Sequence, residues 1–228
     1  MAYKVLFVED DPSIRLVISA ALENEGYSVH QFSNGESAVA AVSELEPDVA
    51  IIDMRLPGMN GLEVVRTIRP LTSAPLVILT AFGDSHDVVA ALEVGADDFL
   101  NKPIANKELA ARIRAILRRN RAPVSESDDL AQFRYESLVL YPQRRESTID
   151  GKQLELTNTE FLVLLELVRI SPNVATRQDL LEKVWGYDYL GDSRLIDMQI
   201  YRLRGKLAQY GLKDHLVTVR GHGFKLAK

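Results

Sequence analysis

Short apolar runs alternate with longer amphipathic segments through the first half of the chain. The runs Val5–Val8 and Val49–Ile52 have the length of buried strands, and the segments between such runs repeat apolar residues with helical periodicity. The predicted strands are Lys4–Glu9, Ser28–Phe32, Asp48–Asp53, Leu76–Thr80 and Asp98–Asn101, and the predicted helices are Pro12–Glu25, Glu36–Leu45, Gly61–Arg69, Asp84–Val94 and Asn106–Arg119. Alternation of this kind predicts an α/β fold with a doubly wound sheet of five parallel strands.

The pattern changes after a polar stretch that lacks periodicity. We expect residues 120–131 to form a linker between a first domain at 1–119 and a second at 132–228. In the second domain the predicted strands are Phe133–Leu140, Arg145–Ile149 and Gln153–Leu156, the helices begin at Thr157, Thr176 and Ser193, and a hairpin covers Val217–Leu226. Three helices followed by a hairpin predict a smaller α+β domain, a winged helix-turn-helix.

Three local signals in the second domain indicate a turn and the two ends of a helix. Asp150-Gly151 stands between two strand-like runs, which predicts a two-residue hairpin turn. Thr157 and Glu160 have the spacing of a capping box, and Ser171-Pro172 is expected to end the helix that this box opens.

Composition restricts the class of protein. The 228 residues suit two ordinary domains. The absence of Cys excludes disulfide bridges, thiolate metal sites and thiol nucleophiles. The apolar runs are far shorter than the roughly 18 residues of a membrane helix, and the first run is too short for a signal peptide. We therefore expect a cytoplasmic protein without a membrane partner.

Charge is distributed unevenly along the chain. Residues 1–121 hold 12 Lys and Arg against 17 Asp and Glu, whereas Arg194–Lys228 holds eight basic residues against two acidic ones. A localised basic stretch is typical of a nucleic-acid interface. A solvated charged face is the alternative, and charge alone does not decide between them.

Polar side chains stand where the predicted strands of the first domain end. Asp10, Asp53, Thr80 and Lys102 all occupy such positions, and the carboxyl ends of parallel strands share one edge of the sheet. With Glu9 the acids make three carboxylates, which repel one another unless a cation is present. An all-oxygen set favours Mg²⁺. Asp53 would then be a nucleophile toward phosphate, with Lys102 and Thr80 neutralising its oxygens; strand-end caps and a surface charge are the alternative.

Four motifs in order give the first domain a family resemblance. Val8–Pro12, Ile52–Gly61, Leu79–Ala81 and Gly95–Pro103 resemble the flavodoxin/CheY-like receiver of response regulators. The resemblance implies that Asp53 accepts a phosphoryl group from a sensor histidine kinase. It also implies Mg²⁺ held by Asp10, Asp53 and the Arg55 carbonyl, with Glu9 acting through water, and a cis Lys102–Pro103 bond. Phe99 would be the aromatic switch coupled to Thr80, or simply a core residue.

The second domain is similar to the DNA-binding domain of OmpR/PhoB-type regulators through Ser193–Leu207 and Thr218–Phe224. Helical periodicity predicts a buried stripe of Ile196, Ile200, Leu203 and Leu207, with Arg194, Met198, Tyr201 and Arg202 outward. The expected contacts to double-stranded DNA are Arg194, Gln199, Tyr201, Arg202, Arg204, Thr218 and Arg220. Arg202 would read bases in the major groove and Arg220 would enter the minor groove.

The resemblance also implies assembly on DNA. A receiver homodimer would place two winged helices on direct repeats, with Asp97, Asp98, Glu108, Arg112 and Arg118 at its interface. The chain departs from the family at Val88, usually a basic interface position, at Phe82, commonly charged, and at Gln199 and Tyr201, commonly His and Arg. The loop Tyr187–Asp192 contacts RNA polymerase in relatives, and an ordinary polar turn is the alternative there.

Three hypotheses follow for the function. The first is a phosphorylation-controlled transcription regulator that is no enzyme apart from phosphoryl transfer to its own Asp53 and autodephosphorylation. The second keeps DNA binding but makes the receiver a constitutive dimerisation module that is independent of phosphorylation. The third makes the first domain a phosphatase-like enzyme, which would turn over exogenous substrates many times.

Overall fold

A computed structural model describes residues 2–81, 85–121, 132–186 and 193–227 of the chain. The chain divides into two compact units, Met1–Arg118 and Arg119–Lys228. Within the described ranges, no helix has the length and apolarity needed to cross a membrane. Phe82, the loop at 187–192 and all of the predicted linker except its first two residues lie outside these ranges.

The first unit is a five-stranded parallel sheet with helices between the strands, as predicted. Its strands are β1 (Lys4–Val8), β2 (Ser28–Phe32), β3 (Val49–Asp53), β4 (Leu76–Ala81) and β5 (Asp98–Lys102). Its helices are α1 (Pro12–Asn24), α2 (Gly35–Leu45), α3 (Gly61–Ile68), α4 (Ser85–Val94) and α5 (Asn106–Arg121). The strand order β2-β1-β3-β4-β5 reverses direction at β1, which is the doubly wound arrangement.

Two apolar clusters cover the two faces of this sheet. Leu6 and Ile52 belong to one cluster, whereas Phe7 and Ile51 belong to the other. Neighbouring residues of a strand point to opposite faces, so a strand buried on both faces reads as a continuous apolar run. All five residues of β3 are buried for this reason, and the polar residues that end the strands lie at the rim of the core.

In its described residues, the second unit combines two small antiparallel sheets with three α-helices. One sheet has the order β6 (Phe133–Tyr135), β7 (Leu138–Tyr141), β8 (Glu146–Ile149) and β9 (Lys152–Gln153). The helices are α6 (Asn158–Ile170), α7 (Arg177–Trp185) and α8 (Arg194–Ala208). The other sheet has the order β10-β12-β11, from β10 (Ala175–Thr176), β11 (Leu216–Val219) and β12 (Gly223–Leu226).

Most of the local signals are confirmed. Asp150 and Gly151 have positive φ angles of 50° and 75° between β8 and β9, as a two-residue hairpin turn requires. Thr157 and Glu160 form both bonds of a capping box at the start of α6. A second capping box, between Thr176 and Asp179, begins α7.

Three predicted boundaries are wrong. The predicted strand Gln153–Leu156 is only Lys152–Gln153, since the chain then leads into the Thr157 cap of α6. The predicted strand Phe133–Leu140 is two antiparallel strands, because Glu136 adopts a positive φ of 51° and reverses the chain there. Helix α5 continues to Arg121, into the first residues of the predicted linker. The helix can continue through Asn120 and Arg121 because the next Pro of the chain, Pro123, lies two residues beyond Arg121.

Candidate functional site

The strand-end residues lie along one edge of the parallel sheet. Glu9 and Asp10 follow β1, the central Asp53 ends β3, and Lys102 ends β5. Thr80 in β4 is in register with Asn101, one residue before Lys102. The direction that all five strands share therefore brings these side chains to the same end of the sheet.

Three carboxylates and one ammonium group meet at this edge. The acidic cluster consists of Glu9, Asp10 and Asp53, each of which offers an oxygen within 4.8 Å of the others. The Lys102 Nζ donates to Glu9 Oε2 at 2.7 Å and lies 3.0 Å from Asp53 Oδ2. Glu9 and Asp53 are buried, whereas Asp10 is exposed. The cluster thus opens to solvent on the Asp10 side.

The pKa values of Glu9 and Lys102 at this edge are both raised, by different causes. Burial raises the pKa of Glu9; the hydrogen bond from Lys102 opposes this and the charge of Asp53 adds to it, so the pKa lies above its usual value. Burial by itself lowers the pKa of Lys102, but hydrogen bonds to Glu9 and Asp53 and their negative charges outweigh it, and the pKa is raised. Lys102 therefore stays a cation at neutral pH.

The donor set of the acidic cluster fits a hard divalent cation. Its three carboxylates supply only oxygen, and the cluster includes no His. Mg²⁺ prefers such ligands and usually takes one or two carboxylates with several waters. Asp53 Oδ1 also accepts a hydrogen bond from the Arg55 backbone N–H at 3.3 Å, which orients the carboxylate at the end of β3.

Residues that the sequence analysis did not single out hold the acidic cluster in place. Arg15 Nη1 donates to the backbone carbonyls of Glu9 at 2.6 Å and Asp10 at 3.1 Å. Asp11 caps α1 by accepting from the Ser13 and Ile14 backbone N–H groups. The Asp11-Pro12 pair, in which Pro12 is the first residue of α1, was a sequence signal for this cap. No sequence signal indicated Arg15.

Thr80 lies in β4 and Phe99 lies in β5, the two strands that follow β3 in the sheet. The Thr80 side chain is buried and its Oγ1 donates to Met54 Sδ at 3.5 Å, and sulfur is a weak acceptor. Phe99 is half-buried and lies in register with Ile78 of β4. The Lys102–Pro103 peptide bond is cis, as the resemblance implies.

Helix α8 presents a mixed polar face to solvent. Its predicted apolar stripe, Ile196, Ile200, Leu203 and Leu207, is buried as expected. On the opposite face Tyr201 is 72% exposed, and Arg194 and Arg202 are half-buried. Arg220 is exposed in the turn between β11 and β12. The helix and this hairpin, which we call the wing, form the basic surface of the second unit.

Comparison with known proteins assigns both units. The family described as response regulator receiver domain matches residues 5–114, and the family described as transcriptional regulatory protein, C terminal, matches residues 151–226. The transcriptional regulatory protein AfsQ1 of Streptomyces coelicolor is 43% identical over 223 residues, which is 97% of each chain. The chain belongs to the OmpR/PhoB-type response regulators.

Further relatives support this assignment over the full length. The DNA-binding response regulator MtrA of Mycolicibacterium smegmatis is 40% identical over 226 residues, covering 99% of this chain and 97% of MtrA. The solved structure of a RitR mutant is 25% identical with a TM-score of 0.80, and the match covers 100% of both chains. This response regulator therefore combines a receiver with a C-terminal domain of the DNA-binding type.

Two residues of the regulator's predicted dimer interface, Asp97 and Asp98, are buried within the receiver unit. Asp97 is buried, and its Oδ2 accepts from Arg69 Nη1 and from the Leu76 backbone N–H, both at 2.9 Å. Asp98 is buried as well and accepts from the Phe99 backbone N–H. Val88 is also buried. The burial of these three side chains depends on tertiary packing, which sequence spacing does not indicate.

The other interface residues lie on α5. Glu108 and Arg112 form an i,i+4 ion pair with 3.9 Å between Oε1 and Nη2, and Arg118 is exposed. They remain accessible for a partner.

Replacing Asp97 by Ala should destabilise the receiver by about 2 kcal/mol, because the mostly buried Arg69 side chain and the Leu76 N–H lose their shared acceptor. Urea unfolding followed by far-UV circular dichroism measures this. The matched control is Glu108→Ala, whose pair is largely exposed and should contribute less than about 0.5 kcal/mol. Equal stability of the two variants would contradict the buried role of Asp97.

Of the regulator's predicted DNA contacts, one is buried and another is hydrogen-bonded within the domain. Gln199 is fully buried, and neither of its amide atoms has a hydrogen-bond partner among the described residues. It lies three residues after Ile196, on the apolar face of α8, so the helical period already indicated its burial. Arg204 directs its guanidinium to Leu216 and Thr218 of β11.

Ion pairs that the sequence analysis missed fasten α8 to the rest of the domain. Lys206 Nζ donates to Glu160 Oε2 at 2.6 Å and to the Glu155 carbonyl at 2.8 Å. Near the other end of α8, Arg177 Nη2 lies 2.8 Å from Asp197 Oδ1. These contacts join residues far apart in sequence, so no local sequence pattern predicts them.

Proposed function

We propose that this chain is a phosphorylation-controlled transcription regulator that accepts its phosphoryl group on Asp53. The observation that supports this most strongly is the placement of Asp53 at the end of β3, 3.0 Å from the Lys102 ammonium and beside two further carboxylates. A nucleophilic carboxylate with a fixed cation at this distance suits phosphoryl transfer. The donor is a sensor histidine kinase.

The chemistry follows from the charges at this edge. One carboxylate oxygen of Asp53 forms the new O–P bond while the P–N bond of the kinase's phosphohistidine breaks and its electron pair stays on nitrogen. Lys102 already faces Asp53 and compensates the charge of the incoming phosphoryl oxygens. The Thr80 hydroxyl serves as a donor to one of those oxygens. Water later hydrolyses the acyl phosphate, which resets the receiver.

The acidic cluster gives this transfer its metal dependence. Glu9, Asp10 and Asp53, with the Arg55 carbonyl, would hold Mg²⁺, which supplies positive charge next to the phosphoryl oxygens when bound. Lys102 alone offsets one negative charge of the three carboxylates. A second source of positive charge therefore makes the approach of a phosphoryl group more favourable.

Control of transcription requires that phosphorylation of the receiver changes DNA binding by the second domain. Phosphorylation favours a receiver homodimer, with Phe99 and Thr80 as the switch and the α5 residues Glu108, Arg112 and Arg118 at the interface. The dimer brings two winged helices to direct repeats of double-stranded DNA. Helix α8 lies in the major groove and the wing reaches the minor groove. RNA polymerase is a further partner through the segment 187–192.

Arg202 is the base-reading residue in this proposal. Arg202→Ala should cost about 1 to 3 kcal/mol in binding and relax preference at particular base pairs, because Arg pairs bidentately with guanine. Competition of single-base variants against a selected duplex measures this. A loss that is uniform over all base variants would instead make Arg202 a phosphate contact.

Intact mass spectrometry tests the proposed transfer. The chain is incubated with acetyl phosphate and Mg²⁺, and we expect one added phosphoryl group, which chelation of the metal prevents. Hydrolysis should release phosphate at most once per loading. Repeated turnover of excess donor or of other phosphoesters would favour a phosphatase-like enzyme instead.

A further inference from the structure

Arg204 connects the recognition helix to the wing through three hydrogen bonds. Its Nε and Nη2 donate to the Leu216 carbonyl at 2.9 and 2.7 Å, and Nη2 donates to Thr218 Oγ1 at 2.8 Å. Three of the five N–H groups of the guanidinium are thus committed to β11. The fork geometry of these bonds is specific to Arg, since Lys offers a single point charge.

The strand that Arg204 contacts is β11, which lies at the edge of its sheet. In the order β10-β12-β11, β11 is an edge strand with a partner on one side only. It ends at Val219, and the exposed Arg220 follows directly. The two positions that Arg204 contacts, Leu216 and Thr218, lie four and two residues before Arg220. A shift of β11 would therefore displace Arg220 as well.

A second arginine ties the wing's other strand to α8. Arg177 donates through Nε and Nη2 to Asp197 Oδ1 at 3.0 and 2.8 Å. The guanidinium carbon of Arg177 lies 4.6 Å from the centroid of the Phe224 ring in β12, within range of a cation–π interaction. A guanidinium group thus links each of the two wing strands to α8.

We infer that Arg204 is a positioning residue that sets the place of Arg220 on DNA, and that it is not itself a phosphate contact. This rests on the proposed DNA-binding function. A residue of this kind acts only through the group it positions, whereas a phosphate contact acts independently of it. The two roles therefore differ in how Arg204 and Arg220 substitutions combine.

A double-mutant cycle on the full chain separates the two roles. The probe is a short duplex that the wild-type chain selects from a random-sequence library, and failure of the wild type to select any duplex would count against the proposed function itself. Arg204→Lys should lower affinity for this probe about tenfold in the wild-type background. In the Arg220→Ala background the same change should lower affinity less than about twofold.

Charge and folding controls complete the test. Arg204→Gln in the Arg220→Ala background should leave the dependence of affinity on salt unchanged, whereas loss of a phosphate contact reduces that slope by about 0.9. Arg202→Ala should cost the same factor in both backgrounds, as an independent contact does. If Arg204→Lys does not fold, Arg204→Gln replaces it in both backgrounds, and its loss of affinity should likewise vanish without Arg220.

The inference is overturned if Arg204 substitutions cost the same factor with and without Arg220. It is also overturned if Arg204→Lys retains wild-type affinity, since a point charge would then suffice.

Discussion

Replacing Asp53 by Asn should abolish the gain in DNA affinity that a phosphodonor produces. Allosteric couplings of this kind typically change affinity by about 5- to 150-fold, and the variant should show no gain. The amide is neutral and a poor nucleophile, so no acyl phosphate forms. Its size matches that of the carboxylate, and Lys102 keeps its hydrogen bond to Glu9, so the receiver should remain folded. Fluorescence anisotropy of a labelled duplex, with and without acetyl phosphate, measures the effect.

The matched control for this change is Asp11→Asn. Asp11 lies beside the acidic cluster but outside it and caps α1, a role that Asn performs about equally well. This variant should keep both its stability and the phosphodonor response. If Asp53→Asn retained the response while Asp11→Asn lost it, the assigned phosphoacceptor would be wrong.

Replacing Gly223 by Ala should destabilise the second unit by about 3 kcal/mol, because the added methyl group overpacks a backbone contact. A Cβ at this position would lie 1.9 Å from the Ala175 carbonyl oxygen and 2.9 Å from the Thr176 Cα. Both atoms are backbone atoms of β10, which pairs with β12 at this point. The wing would have to leave β10 to accept the side chain, so DNA affinity should fall together with stability.

Trp185 makes this measurement specific to the second unit. It is the only Trp of the chain and is buried in α7, so its fluorescence in urea follows this unit within the full chain. The control is Gly205→Ala in α8, where a Cβ would meet nothing within 4 Å. That change should stabilise by about 0.5 to 1 kcal/mol through helix propensity. Equal urea midpoints for Gly223→Ala and the wild type would contradict the close approach of β12 to β10.

Sequence reasoning predicted the features that local physics determines. The apolar runs marked the five parallel strands because a strand buried on both faces must be apolar throughout, as β3 is. The capping residues Thr157 and Thr176 marked helix starts because their side chains bond the first backbone N–H groups. The strand ends in turn indicated the edge at which Asp53 and Lys102 meet.

Sequence reasoning missed features that distant residues or an unusual backbone determine. Glu136 reverses the chain with a positive φ although it is neither Gly nor Asn, so the run around it resembled one strand. Asp97 is buried because Arg69 and Leu76, more than 20 residues away in sequence, bind its carboxylate. Gln199 is different, since its place in the helical period already put it on the buried face of α8.

We propose that phosphorylation of Asp53 controls DNA binding, and both events can be followed in one sample. The most direct measurement titrates acetyl phosphate, with Mg²⁺ present, into one sample of the full chain and a selected duplex. At each point, intact mass gives the phosphorylated fraction and anisotropy gives the bound fraction. DNA binding should rise in step with phosphorylation. Full phosphorylation with unchanged DNA affinity would contradict it and favour a receiver that dimerises constitutively.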